Sequence, residues 1–164
     1  MGVVVESTAW APRMERVPDG LRMRSPADPF VEAMERRQTP YDRLVLATRA
    51  LRRDEDCIEA RLVVASHCDD IELRLLHLNM AVEAGETTWG SAAVRLVVGE
   101  DLGAVPGALP WLRSLKALGD ALEEAGEAAA ARSYYERLLG VDPADKQGVR
   151  VSLEDDTVTP APGR

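Results

Sequence analysis

Aromatic side chains are scarce in this chain: three Trp, three Tyr and one Phe among 164 residues. That shortage argues against a sheet core, where β-branched and aromatic residues are favoured. Cysteine is scarcer still, and Cys57 with Cys68 is too little for a disulfide framework. If one helix carries both, their spacing puts them on one face, roughly 16 Å apart, beyond the reach of a bridge. Both are expected as buried thiols in a reduced compartment. No run is long and apolar enough to span a membrane, and the N-terminus has no apolar stretch of signal-peptide length. Glu6 stands where a myristoylation signal needs Ser or Thr. These absences lead to an expectation of a cytoplasmic protein without a membrane partner. Positive charge is also in deficit: 20 Lys and Arg against 28 Asp and Glu give a formal net charge of −8. Such a field repels a polyanionic backbone, so nucleic acid is not an expected partner, and a basic partner is favoured in encounter.

What is present is ordinary for one globular domain, 46% hydrophobic and 29% charged, with length enough to bury a core. Ala, Leu, Val, Arg and Glu dominate, and aliphatic side chains with Ala suit closely packed helices. Residues 1–24 mix Pro, Gly and Arg without a period. They read as a loosely ordered arm, with "GVVVE" a possible short strand and Trp10 an anchor. Ser25-Pro26 reads as a cap and first helical position, opening a short helix through Phe30, Val31 and Met34 to about Gln38. Thr39-Pro40 repeats the signal, and Leu44, Ala47 and Leu51 follow at helical spacing, with Arg52 and Arg53 in the last turn.

Breaks at Asp54–Asp56 and Asp69–Asp70 delimit "CIEARLVVASHC", with Ile58, Leu62, Ala65 and both cysteines on its apolar side. The next helix carries Leu75, Leu78 and Val82, and Gly85 is expected to end it. A short helix within "TTWGSAAVRLVVGED" and a connector, "LGAVPGALP", come next. Two further helices meet at Gly126, one lined by Trp111, Leu115, Leu118 and Leu122, the other by Ala128, Ala131, Tyr135 and Leu138. The organisation expected is an arm over 1–24, a helical domain over 25–153 and a disordered tail over 154–164.

Residues 112–145 fit a 34-residue helix–turn–helix frame, with Leu115, Leu118-Gly119, Leu122, Ala131, Tyr135 and Pro143 at its fixed positions. Gly119 and Ala131 are small where two helices must approach, Tyr135 fills the groove between them, and Pro143 closes the second helix. This segment resembles a tetratricopeptide repeat, although Leu115 stands in place of the usual Trp and Leu122 in place of the usual Tyr. Residues 41–56 look like the second helix of a degenerate repeat, and 57–84 like another pair. Single repeats cannot bury their apolar faces alone, so the pairs must stack. The fold expected is all-α: a short tetratricopeptide-like stack of antiparallel helix pairs, six or seven helices in total.

The order "DCIEA", "AVEAGE", Pro110-Trp111-Leu112-Arg113 and "ALGDALEEAGEAAAARSYYERLLGVDPADKQGVR" resembles the suppressor-of-tumorigenicity-7-like family and related bacterial tetratricopeptide proteins over roughly residues 40–150. In that family the last repeat ends in a Leu-Asn-Pro-Asn-Asp-Asn-Gln-Gly-Ile/Val-Arg run. The matching run here is Val141 to Arg150, departing at Lys146; Trp111 and Leu112 also differ, as does "VSLEDD" beyond Arg150. The resemblance implies a helical-repeat fold and a partner-binding role, without a reaction or cofactor.

Tetratricopeptide proteins commonly bind extended peptides along the first helix of each pair. In this frame Arg113, Lys116, Asp120 and Glu123 face that groove. Arg113 and Lys116 resemble the basic positions that grip a peptide carboxylate in some members, and Asp120, replacing the usual Asn, opposes it. The groove expected is therefore of mixed charge, in a non-catalytic interaction scaffold for a protein or peptide, with self-association through an uncapped end as a further possibility. The one dense cluster of ligand-type residues, "SHCDDIELRLLH", supplies the alternative: a metal site or Cys–His nucleophile built from His67, Cys68 and His77. Its spacing does not match zinc pairs. Asp69 or Asp70 as a cap and Cys68 as packing is the competing reading. Glu123, Glu124 and Glu127 read as a solvated helix end, and Asp145 as a cap for a following helix, with Arg150 bracing helix-end carbonyls.

Overall fold

The computed structural model describes residues 25–37, 39–90 and 101–155. The arm, Gln38, the 91–100 part of the short helix expected after Gly85, and the tail from 156 lie outside the described residues. Seven α-helices, and no strand, occur among those described: α1 (Asp28–Glu35), α2 (Pro40–Leu51), α3 (Ile58–Ala65), α4 (Ile71–Trp89), α5 (Leu109–Glu124), α6 (Ala128–Val141) and α7 (Arg150–Asp155). Two 3-10 turns, Leu102–Ala104 and Pro106–Ala108, bridge into α5 and replace the expected irregular connector. Each helix packs on the next from α1 to α6, with α2 meeting α3 and α4 meeting α5 across the junctions between pairs; α3 also touches α5 directly. The all-α stack of helix pairs is the architecture.

Helix starts follow local chemistry. Thr39 Oγ1 accepts the Asp42 N–H at 3.2 Å and Pro40 opens α2; Asp70 Oδ1 accepts the Leu73 N–H at 2.9 Å to open α4. Asp70, not Asp69, is thus the cap. The first helix starts later than Ser25-Pro26 suggests, at Asp28 with Pro29 in its first turn. Ser25 instead forms a reciprocal turn: its Oγ accepts the Ala27 N–H and its own N–H donates to Asp28 Oδ2, both at 3.0 Å. Its hydroxyl then donates to the Asp54 carboxylate, tying the entry of α1 to the α2–α3 turn. Arg52 is the cap after α2 and Arg53 lies beyond it, rather than both sitting in the last turn.

The apolar interior has two centres. Val31, Met34, Ala47, Ala50, Cys57 and Ala60 form one, between α1, α2 and α3. The larger spans α4 to α7 around Trp111, Leu112, Leu115, Leu118, Tyr135 and Leu138. α3 serves both, giving Ala60 and Val63 to the first and Ala65, with Ile58 and Leu62 beside it, to the second. A helix with neighbours on two sides has no single apolar stripe. α3 is also short, so the expected one helix bearing both cysteines is corrected. Cys57 precedes its first residue and is buried, while Cys68 follows its last turn and is half-buried. The Asp54–Asp56 break and the turn after Ser66 leave no backbone for a longer helix.

Gly85 does not end α4; the helix continues to Trp89 with Gly90 as its cap. Its lack of a side chain serves tertiary packing, because a Cβ at Gly85 would overlap the ring of Trp111. The same device recurs one interface on. A Cβ at Gly119 would sit 2.9 Å from Tyr135 Cδ1 and nearer still to Cε1, so the ring of α6 rests on the backbone of α5, as the repeat frame anticipates. Gly126, at φ +83°, makes the turn between these two helices. Of the residues expected to line α6, Ala131, Tyr135 and Leu138 are buried, but Ala128 is exposed in its first turn.

The closing segment is organised by two aspartates. Asp142 caps α6 and is fully buried; its Oδ2 accepts the Lys146 N–H at 2.8 Å. Asp145, at φ +53°, accepts the Val149 N–H at 2.8 Å and the Arg150 N–H at 3.2 Å, which opens α7 as expected of a cap. Arg150 Nη2 donates to the Pro143 carbonyl at 2.8 Å, a brace to the loop rather than to the helix end. α7 runs two residues past 153, where the tail was expected to begin.

These packing contacts carry a test. Gly85→Ala and Gly119→Ala should each lose about 1–3 kcal/mol, the usual cost of overpacking. Gly140→Ala, where a Cβ meets nothing within 4 Å, should gain, by about 0.5–1 kcal/mol from helix propensity. Urea denaturation followed by circular dichroism measures all three, and opposite signs within the one glycine set are the expected outcome.

Candidate functional site

The outer face of α5 brings the four expected groove residues onto one surface. Arg113, Asp120 and Glu123 are exposed, and Lys116 is half-buried. Positions three and four apart are helix-surface neighbours, and Lys116 Nζ donates to Asp120 Oδ2 at 2.7 Å. The other Asp120 oxygen accepts the Tyr135 hydroxyl, at 2.9 Å, from α6. Asp120 therefore does more than lend a charge to this face. It is the acceptor that satisfies the polar end of a buried ring, and Lys116 balances its charge. Burial raises the Tyr135 phenol well above its ordinary value, and the hydrogen bond and negative charge of Asp120, then Glu123, raise it further. Two of the four groove residues, Asp120 and Glu123, thus act on one phenol, and Lys116 reaches it only through Asp120.

Beside Asp120 a cleft of about 220 Å³ opens between α3, α4 and α5. Leu62, Ala65, Leu78, Ala117 and Ala121 form its apolar walls, while Ser66, Arg74, Asp120 and Glu124 give it polar edges. Arg74 Nη1 meets Glu124 Oε2 at 2.5 Å across the α4–α5 junction. The same guanidinium donates to the Cys68 carbonyl through Nε at 3.1 Å and Nη2 at 3.0 Å. One arginine so ties the turn before α4 to the end of α5. The result is an apolar slot edged by both signs of charge; of the four expected groove residues only Asp120 lines it.

The His67, Cys68 and His77 alternative is not brought together. His67 is exposed, with Nδ1 2.8 Å from the Val63 carbonyl. Cys68 Sγ donates back to the Val64 carbonyl at 3.3 Å. His77 Nδ1 lies 3.5 Å from Arg61 Nη1, and burial, then the Arg61 charge, lower its pKa. Among the described residues no three His, Cys, Asp or Glu side chains converge as a metal would need. Burial pushes the Cys68 thiol up, and pushes Cys57 up to about 11, with Glu59, Asp54 and Asp28 adding to the latter. At both positions burial disfavours the thiolate.

Sequence reasoning missed Arg61. It is buried, its Nε donates to the Glu55 carbonyl at 2.8 Å, and it holds the turn before α3. An arginine in the middle of an apolar octet was the available signal. Trp111 Nε1 and Asp142 Oδ1 are buried with no hydrogen-bond partner among the described residues.

Comparison with protein-family models, with curated proteins and with solved structures finds no match for this chain. Among the described residues no helix is long and apolar enough to cross a membrane.

The Tyr135 contact predicts alkaline behaviour. A phenol whose pKa is raised on folding contributes stability that is complete below its unfolded value of about 10 and is lost as pH rises above it. Absorbance titration should show one phenol, missing in Tyr135→Phe, that ionises only as the helical dichroism is lost. Tyr135→Phe should blunt the loss of stability above that pH.

Proposed function

We propose that this protein is a non-catalytic interaction module, and that it binds a peptide or protein segment along the outer face of α5 and the adjoining cleft. The observation that carries the reading is the juxtaposition of an apolar slot with a ridge of paired opposite charges, Lys116–Asp120 and Arg74–Glu124. Apolar walls supply affinity to an inserted side chain, and fixed charges at the edges set its orientation. The helix-pair stack, the close Gly119–Tyr135 contact and the small Ala131 support a tetratricopeptide-like identity, as the 112–145 frame implies. On this reading Arg113 and Lys116 meet acidic or terminal carboxylate groups of the ligand, Asp120 and Glu123 meet its cations, and no cofactor takes part.

A peptide-display selection against the folded protein, followed by calorimetric titration of the selected peptides, tests this. Arg113→Glu with Lys116→Glu should weaken binding by roughly tenfold or more, the scale of losing a charge-assisted contact, while the helical dichroism stays the same. Selected peptides that bind the double variant at full strength would place the site elsewhere. Stoichiometric metal in the purified protein, lost in His67→Ala/His77→Ala, would favour the alternative cluster instead.

A further inference from the structure

α4 has a face that the stack does not use. Among the described residues five large apolar side chains are exposed, and three of them, Leu73, Leu76 and Met80, lie on this helix. Their spacing of three and four makes one stripe. The opposite side is already committed, with Leu78, Ala81, Val82, Gly85 and Trp89 buried where α4 meets α3 and α5. A second apolar stripe, on a helix already buried along the first, calls for a second neighbour.

The charges beside the stripe say what kind of neighbour. Glu72 and Glu83 flank it and are exposed, and Asp69 and Asp70 are exposed at its N-terminal end. The helix offers this face no cation, because its only arginine, Arg74, turns to Glu124. His77 turns toward Arg61. A second copy of a chain with net charge −8 would set acid against acid, and an anionic bilayer would be repelled in the same way.

We propose that the solvent face of α4 docks a basic amphipathic helix of a partner protein. Leu, Ile or Met of that helix, at spacings of three and four, cover Leu73, Leu76 and Met80, and flanking Lys or Arg face Glu72 and Glu83. Arg74 and Leu78 edge the α5 cleft from the other side of α4, so variants of the stripe test this surface separately from that groove.

The test titrates the full chain with a labelled Leu/Lys amphipathic helical peptide and with its Leu/Glu counterpart, by fluorescence anisotropy at low and high salt. The Leu/Lys peptide should bind and weaken with salt, and the Leu/Glu peptide should not bind. Leu73→Ser/Leu76→Ser should cost roughly tenfold or more in affinity, as loss of a central apolar anchor does, with helical dichroism unchanged. Glu72→Gln/Glu83→Gln should weaken binding severalfold and flatten its salt dependence, and Tyr41→Ser, on α2, should leave it alone. Failure of the Leu/Lys peptide to bind, equal binding of both peptides, or binding that survives the stripe variant overturns the proposal. So does a concentration-dependent rise in molar mass, or adsorption to anionic vesicles, that the stripe variant abolishes.

Discussion

Two aromatic rings seated on two glycines set the spacing of this molecule. Trp111 of α5 lies on Gly85 of α4, and Tyr135 of α6 lies on Gly119 of α5, so each ring occupies the room where a Cβ would stand. Aromatic side chains bury large areas, and these two are the largest of the fully buried side chains among the described residues. Close backbone approach at both interfaces also brings the rest of α5 into register. Leu112, Leu115 and Leu118 become fully buried, and the opposite edge of α5 is left to carry the exposed charges. Arg137, 6.0 Å above the Trp111 ring, closes the outer side and reaches Glu86 of α4.

That arrangement gives α5 two jobs on one surface. Asp120 accepts from a buried phenol on one oxygen and from Lys116 on the other, so the groove's charge pattern is held by the same contact that finishes the core. A side chain held through both of its oxygens keeps its charge in one place. The contrast with α4 is instructive. Its outward stripe of Leu73, Leu76 and Met80 makes no comparable internal contact, and its acidic neighbours are not balanced by a cation from their own helix.

The closing loop shows how few residues are needed to end such a stack. Asp142 and Asp145 each accept backbone N–H groups four residues on, and Arg150 returns to Pro143. Polar backbone that the last helix pair would leave unsatisfied is thereby paired inside ten residues, and Val149 is carried into the core.

The sequence by itself determined the helices and where several of them begin. Thr39-Pro40 and Asp70 act within one turn of themselves, and Gly126 needs only its own freedom at positive φ, so these are local matters. The repeat frame also carried Gly119 and Tyr135, because two positions sixteen apart in a hairpin meet whatever lies beyond it. That Arg113, Lys116, Asp120 and Glu123 share one face of a helix follows from the same period, but the anchoring of Asp120 by Tyr135 does not. Only the tertiary structure decided Gly85. Read locally, a glycine late in a helix is a stop; Trp111, on another helix, makes it an interior position instead. The same is true of Arg61, whose burial depends on the turn it holds, and of the cysteines, which the shortness of α3 places beyond its two ends. Caps and turns act through bonds a few residues long, whereas a vacancy in one helix has meaning only when its partner arrives.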